Sequence, residues 1–188
     1  MRVFVAGPRA VNNLNTDITE VLTRIIDKRL DVLVGDADGV DCLAQKFFAE
    51  AKYPNVTVYA SNGKTRNNIG GWNTLNVEVP ANIKGFDFYA QKDIRMAQDA
   101  DCGFMVWNGK SKGTFNNIIN LTSQYKKTMI YFIAAKKTLC IEKLEEIGII
   151  AEYMYPDVLA QYHLLCQKKV YASKSESFEQ LSLPELFL

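Results

Sequence analysis

Three short stretches of this chain carry residues that can hold or transform a small anionic molecule if they meet in space. "AGPRA", Ala6 to Ala10, sets Gly7 close to Arg9. A glycine lets backbone approach a ligand closely, and an arginine fork matches a phosphate or a carboxylate. "GDADGVD", Gly35 to Asp41, places Asp36, Asp38 and Asp41 around Gly35 and Gly39. These carboxylates suit ribose hydroxyls or the free N–H groups of a helix start, not a phosphate. "NGKSKGT", Asn108 to Thr114, brings Lys110, Ser111, Lys112 and Thr114 together with Gly113, where a helix is expected to open. The first N–H groups of a helix have no partner inside it and form an anion site.

The Gly-Lys-Ser of the third stretch suggests a nucleotide-binding P-loop. That motif, G-x-x-x-x-G-K-S/T, needs a glycine five residues before Gly109, and Phe104 stands there. A Walker-type ATPase is excluded, and the absence of G-x-G-x-x-G leaves a standard dinucleotide fold unsupported. The four cysteines Cys42, Cys102, Cys140 and Cys166 form no CxxC pair, and His163 is the sole histidine. No metal site is expected.

The elements that must position these stretches are legible from hydrophobic spacing. Apolar runs at 2–6, 31–35, 55–60, 101–107 and 128–134 read as strands, and 16–30, 39–52, 86–100 and 114–127 read as helices. Thr16 or Asp17 can cap the first helix. The alternation predicts an α/β chain: a Rossmann-like three-layer sandwich with a mainly parallel five-stranded sheet over residues 1–135. Residues 60–86, rich in Asn and Gly, read as a long loop or insertion. Residues 136–170 read as an extension with one or two short helices, and 171–188 as a mobile tail. In open α/β sheets ligands bind beyond the carboxyl ends of the strands, which is where all three stretches fall.

Each feature also has a plainer reading. "NGKSKGT" can be a strand-to-helix turn with solvated lysines, "GDADGVD" can cap a helix through Asp38 or Asp41, and Arg9 can serve a surface salt bridge. Trp107 is expected in packing rather than base stacking, and His163 on a helix surface or in packing. The chain has 188 residues, 48% hydrophobic and 23% charged, with net charge +1. One sizeable core is affordable, and no strong field draws the chain to DNA or an anionic membrane. The start "MRVFVAGPR" is too short an apolar run for a signal peptide, and no stretch approaches the roughly 18 apolar residues of a membrane helix. With unpaired cysteines, a cytoplasmic chain is expected.

"VAGPR", "VGDADGVDCLA" and "MAQDADCGFMVWNGKSKGT", with the strand layout, resemble the SLOG superfamily, the Rossmann-like group of LOG and SMF-type proteins, and within it the YspA-like branch. The branch pattern is roughly G-S/A-R after the first strand, G-x-A-x-G-V/A-D after the second and S/K-x-G-T after the fourth. The resemblance covers about residues 2–134. It implies a nucleotide or nucleotide-derived ligand, with a sensor or accessory role. By resemblance Gly7, Arg9, Gly35, Asp38, Gly39, Asp41, Ser111, Gly113 and Thr114 line the site, with Asp36, Lys112 and Asn117 as further ligand-binding candidates. The branch also carries R-N-x-x-M before the fourth strand; here Met96 matches, while Lys92 and Asp93 replace Arg and Asn. LOG-like N-glycosidases and nucleoside deoxyribosyltransferases, the alternative activity, place a glutamate in the first turn after Gly-Thr. This chain has Asn116 and Asn117 there, and an amide is a poor nucleophile and no carboxylate base. Catalysis would fall to another acid, with Asp36, Asp38, Asp41 and Asp93 the candidates. No cofactor is implied, and self-association is common among related folds. Finally, "QLSLP", Gln180 to Pro184, resembles the peptide by which bacterial proteins dock on the replication sliding clamp, through Gln180, Leu181 and Leu183. The plainer reading is an apolar tail folded back on its own domain.

Overall fold

The first strand, β1 (Arg2–Ala6), is buried at four of its five residues. Successive side chains face opposite ways. Phe4 and Ala6 join one hydrophobic cluster, and Val3 and Val5 join another. The sheet therefore carries a core on each face, which explains the unbroken apolar run at the start of the chain. The computed structural model describes residues 1–63 and 65–175, with side chains to residue 167.

After β1 come α1 (Thr16–Asp27), β2 (Asp31–Gly35), α2 (Val40–Glu50), β3 (Val56–Ser61), β4 (Asn73–Val77) and α3 (Gly85–Asp99). β5 (Cys102–Trp107), α4 (Lys112–Thr122), β6 (Thr128–Phe132), β7 (Lys137–Ile141), a 3₁₀ stretch (Leu144–Tyr153) and α5 (Pro156–Ser175) complete it. The strands form one sheet in the order β4-β3-β2-β1-β5-β6-β7. Every neighbouring pair is parallel except β6 and β7.

Among the described residues the sheet thus has seven strands where the sequence suggests five. The first addition, β4, lies inside the stretch read as a loop. It pairs with β3 from Thr57↔Asn73 to Ser61↔Val77. Asn73 and Asn76 are exposed, while Leu75 and Val77 pack against a core cluster. An edge strand covered on one face needs few apolar residues, so its asparagines hide it. The second addition, β7, turns back from β6 through Lys136, which adopts a left-handed conformation (φ 49°), and buries Ile141. Beyond it, α5 is a single helix of 20 residues rather than one or two short ones, and it passes the boundary expected at 170. The Gln180–Pro184 motif lies outside the described residues.

Ile18, Leu22 and Ile25 of α1 and Ala44 and Phe48 of α2 pack on the face of Val3 and Val5. Met96 and Ala97 of α3, Phe115, Ile118 and Leu121 of α4, and Ile147, Ile150 and Val158 beyond β7 pack on the face of Phe4. Each of the larger side chains contributes about 1.5–3 kcal/mol on burial. Asn15, not Thr16 or Asp17, caps α1: its Oδ1 accepts from the Ile18 N–H at 3.1 Å. Trp107 is fully buried, stacked on Phe115, with its Nε1 donating to the Ser111 carbonyl. Among the described residues no helix is long and apolar enough to cross a membrane.

From β1 the chain builds outward through α1 to β2, β3 and β4. The α3 connection then brings it back to the other side of β1, and β6 and β7 extend that side. The loops leaving β1 and β5 therefore diverge, and the crevice between them is the ligand position of open α/β sheets.

Candidate functional site

That crevice holds a cavity of about 590 Å³, within the range of small-molecule sites. Gly7 and Arg9 from the loop after β1 line it, as do Lys110, Ser111, Gly113 and Thr114 after β5, and Asn117 one turn into α4. Of the stretch after β2, only Ala37 and, from the first turn of α2, Asp41 line it. Gly35, Asp36, Asp38, Gly39 and Lys112 stand outside it, Lys112 bordering a neighbouring hollow. Asp93 lines the cavity, reached from α3 together with Phe86, Tyr89 and Lys92.

The β2 loop is turned inward by bonds of its own. Arg66, from the stretch before β4, grips Asp36 with Nη2 to Oδ1 at 2.6 Å, Nε to Oδ2 at 3.1 Å, and its backbone N–H to Oδ2 at 3.1 Å. Burial pushes the Asp36 carboxyl up, but the Arg66 bonds and the Lys92 charge outweigh it and hold the group below its ordinary range. Asn67 donates to the Asp36 carbonyl and to Asp38 Oδ1. Gln45, fully buried, donates to the carbonyls of Gly35 and Asn67 and accepts from the Ile69 N–H. Neither Asp38 nor Asp41 caps α2. Gly39 occupies the cap with φ 76° and no side-chain bond, and a Cβ there would strike the Pro8 carbonyl.

The cavity floor is a cluster of charges. Lys92 is 3% exposed, and its Nζ donates to Asp93 Oδ1 at 2.7 Å. A Cβ on Gly35 would collide with both Asp41 Oδ2 and Lys92 Nζ, so the bare glycine makes room for this cluster. Burial pushes the Asp41 carboxyl up to about 7; Lys92 pulls it down, and Asp93 pushes it further up. Burial would lower Lys92, but Asp93 and Asp41 outweigh it, and the ammonium is held above its ordinary value. A neutral carboxyl can donate to a sugar hydroxyl or release a proton near neutrality, which the ordinary aspartate cannot do. Sequence reading finds Lys92 only as a substitute in a pattern. The sharper signal was its place one turn before Met96, on the buried face of α3, where an unpaired lysine would be costly.

The rim is built differently. Ser111 caps α4, its Oγ accepting from the Thr114 N–H at 3.3 Å and from Thr114 Oγ1 at 2.9 Å. The Phe115 N–H bonds the Ser111 carbonyl. By helix geometry the N–H groups of Lys112 and Gly113 have no acceptor inside α4. The preceding turn is fixed by Asn108 Oδ1, which accepts from the N–H groups of Lys110 and Ser111, both at 3.0 Å. Arg9 makes no salt bridge among the described residues; its guanidinium lies over the Tyr89 ring at 5.4 Å, with Arg66 over the same ring at 4.7 Å. Lys110 covers Tyr155 at 4.2 Å. The rim offers positive charge and helix N–H groups, the floor carboxyls and an ammonium.

The two asparagines that replace the expected glutamate part company. Asn116 faces α5 and accepts from Gln161 Nε2 at 2.6 Å. Asn117 lines the cavity, 4% exposed, and its Oδ1 has no hydrogen-bond partner among the described residues. Among the described residues no group of three His, Cys, Asp or Glu could hold a metal ion. No protein-family model matches the chain, and no curated protein matches it.

Proposed function

We propose that this chain is a nucleotide- or nucleotide-derivative-binding protein of SLOG type, built on a Rossmann-like three-layer sandwich and acting as a sensor or accessory factor. The observation that carries the reading is the unpartnered Asn117 Oδ1, buried against a cavity whose rim is the start of α4. A phosphate at the rim satisfies the Gly113 N–H group, with Arg9 and Lys110 neutralising it. A hydroxyl or amino group of the same ligand satisfies Asn117, and the sugar reaches Asp41 and Asp93. A buried acceptor left unmade costs about 1–3 kcal/mol, which a ligand recovers.

A thermal-shift panel of AMP, ADP-ribose, NAD and cyclic nucleotides tests this. Saturable stabilisation by at least one is expected; no shift with any of them ends the reading. The buried Asp41 carboxyl, held protonated up to about pH 7 at the cavity, favours a second reading, cleavage of an N-glycosidic bond. Chromatography of the same samples for free base decides it, since binding alone releases none.

A further inference from the structure

Gly113 stands where the cavity meets a groove leading to α5. A Cβ built on it would find only Phe86 Cε2, at 3.9 Å, so the gap between α4 and Phe86 is open. Beyond the gap lie two further hollows of about 260 and 500 Å³. Phe86 borders the cavity and both hollows. Gly113 and Asn117 are shared by the cavity and the nearer hollow, and Asn116 and Gln161 by the two hollows. The three hollows adjoin through these shared residues, and the first turn of α4 borders them, with Gly113 lining the inner two and Lys112 the outer one.

Two buried acceptors mark this groove. Asn117 Oδ1 lies at the inner part. Gln161 Oε1 lies at the outer part, without a partner among the described residues although its Nε2 is spent on Asn116. Native structures keep few such groups. Beside the outer one stands the Phe86 ring, 55% exposed. An exposed aromatic ring and an acceptor lining the same hollow fit a planar heterocycle that bears an N–H donor.

We infer that the ligand is two-armed, a pyrophosphate with a nucleoside at one end and a second planar, N–H-bearing ring at the other, the second ring seated between Phe86 and Gln161. This rests on the nucleotide reading, because it places the phosphates at the start of α4. From there one arm enters the cavity toward Asp41 and the other runs past Phe86 to α5. A mononucleotide leaves the outer acceptor unpaired.

Titration calorimetry with AMP and with diadenosine pyrophosphate separates the possibilities. The two-ringed probe is expected to bind about tenfold tighter than AMP, the worth of one well-made hydrogen bond with stacking. Gln161→Leu removes the outer acceptor, and Ala160→Phe fills the outer hollow from α5. Each should erase the advantage of the second ring, and AMP binding reports that the variant is folded. If AMP binds and the second ring adds nothing, or adds an advantage that both variants keep, the two-armed ligand is overturned while the nucleotide reading stands. If neither probe binds the wild-type chain, both fall.

Discussion

The loops after β2 and β5 look equally equipped for binding, yet they spend their polar groups in opposite ways. After β2, Asp36 takes three bonds from Arg66, Asp38 takes one from Asn67, and Gln45 uses both ends of its amide on backbone. After β5, Asn108 and Ser111 order the turn, but the N–H groups of Lys112 and Gly113 have no acceptor inside α4, and Asn117 Oδ1 has none among the described residues. The first loop is the richer motif, and the second keeps more of its polar capacity free. What marks a site is polar capacity that the fold has not consumed. Asp41 is the exception that joins the two: it belongs to the β2 loop by sequence and to the cavity by position.

The largest effect should come from that junction. The folded chain holds the Asp41 proton up to about pH 7, whereas an unfolded aspartate releases it near pH 4. Between these values the folded state binds more protons than the unfolded state, so rising pH destabilises the fold. Wild-type stability relative to Asp41→Asn should therefore fall between about pH 4 and 7, with a slope approaching 1.4 kcal/mol per pH unit, and level off above. Lys92, raised, loses its contribution only above the ordinary lysine range, and Asp36, depressed, only below the ordinary carboxylate range. Neither disturbs the window. Denaturant unfolding across the pH series measures the slope, and a flat difference would show that Asp41 is charged throughout.

The next test breaks the satisfied loop. Arg66→Ala leaves the buried Asp36 carboxylate with only a backbone partner from residue 66, and about 2–3 kcal/mol of stability should be lost. Nucleotide affinity, measured well below the new unfolding midpoint, should change little, because Asp36 does not line the cavity. A large affinity loss with stability intact would reverse the assignment of the two loops.

Much of this was legible in the chain itself. β1, β2, β3, β5 and β6 are dense apolar runs because two cores claim them, and α1 through α4 show helical spacing because each buries one face. β4 and β7 escaped because edge strands need cover on one side alone, which leaves room for Asn73, Asn76 and Lys137. The third stretch, "NGKSKGT", was found from composition. That Asp36 is consumed was not legible, since its partner lies 30 residues away in a segment without period. The separation of Asn116 from Asn117 was out of reach for a related reason. It depends on which side of α4 faces α5, and that is set by Gln161, 45 residues on.

The smallest effect concerns the unsatisfied loop, and it discriminates best. Asn117→Leu replaces a buried amide lacking a partner at Oδ1 with an apolar group of similar size. Stability should stay level or rise by up to about 1 kcal/mol, since an unmade hydrogen bond is removed from the interior. On the proposed reading ligand affinity should move the other way, falling about tenfold, because the ligand loses that acceptor. A residue kept for packing would lose stability and leave affinity alone. The opposed signs of the two readouts, thermal unfolding without ligand and calorimetry with it, separate a polar group reserved for function from one that is merely buried.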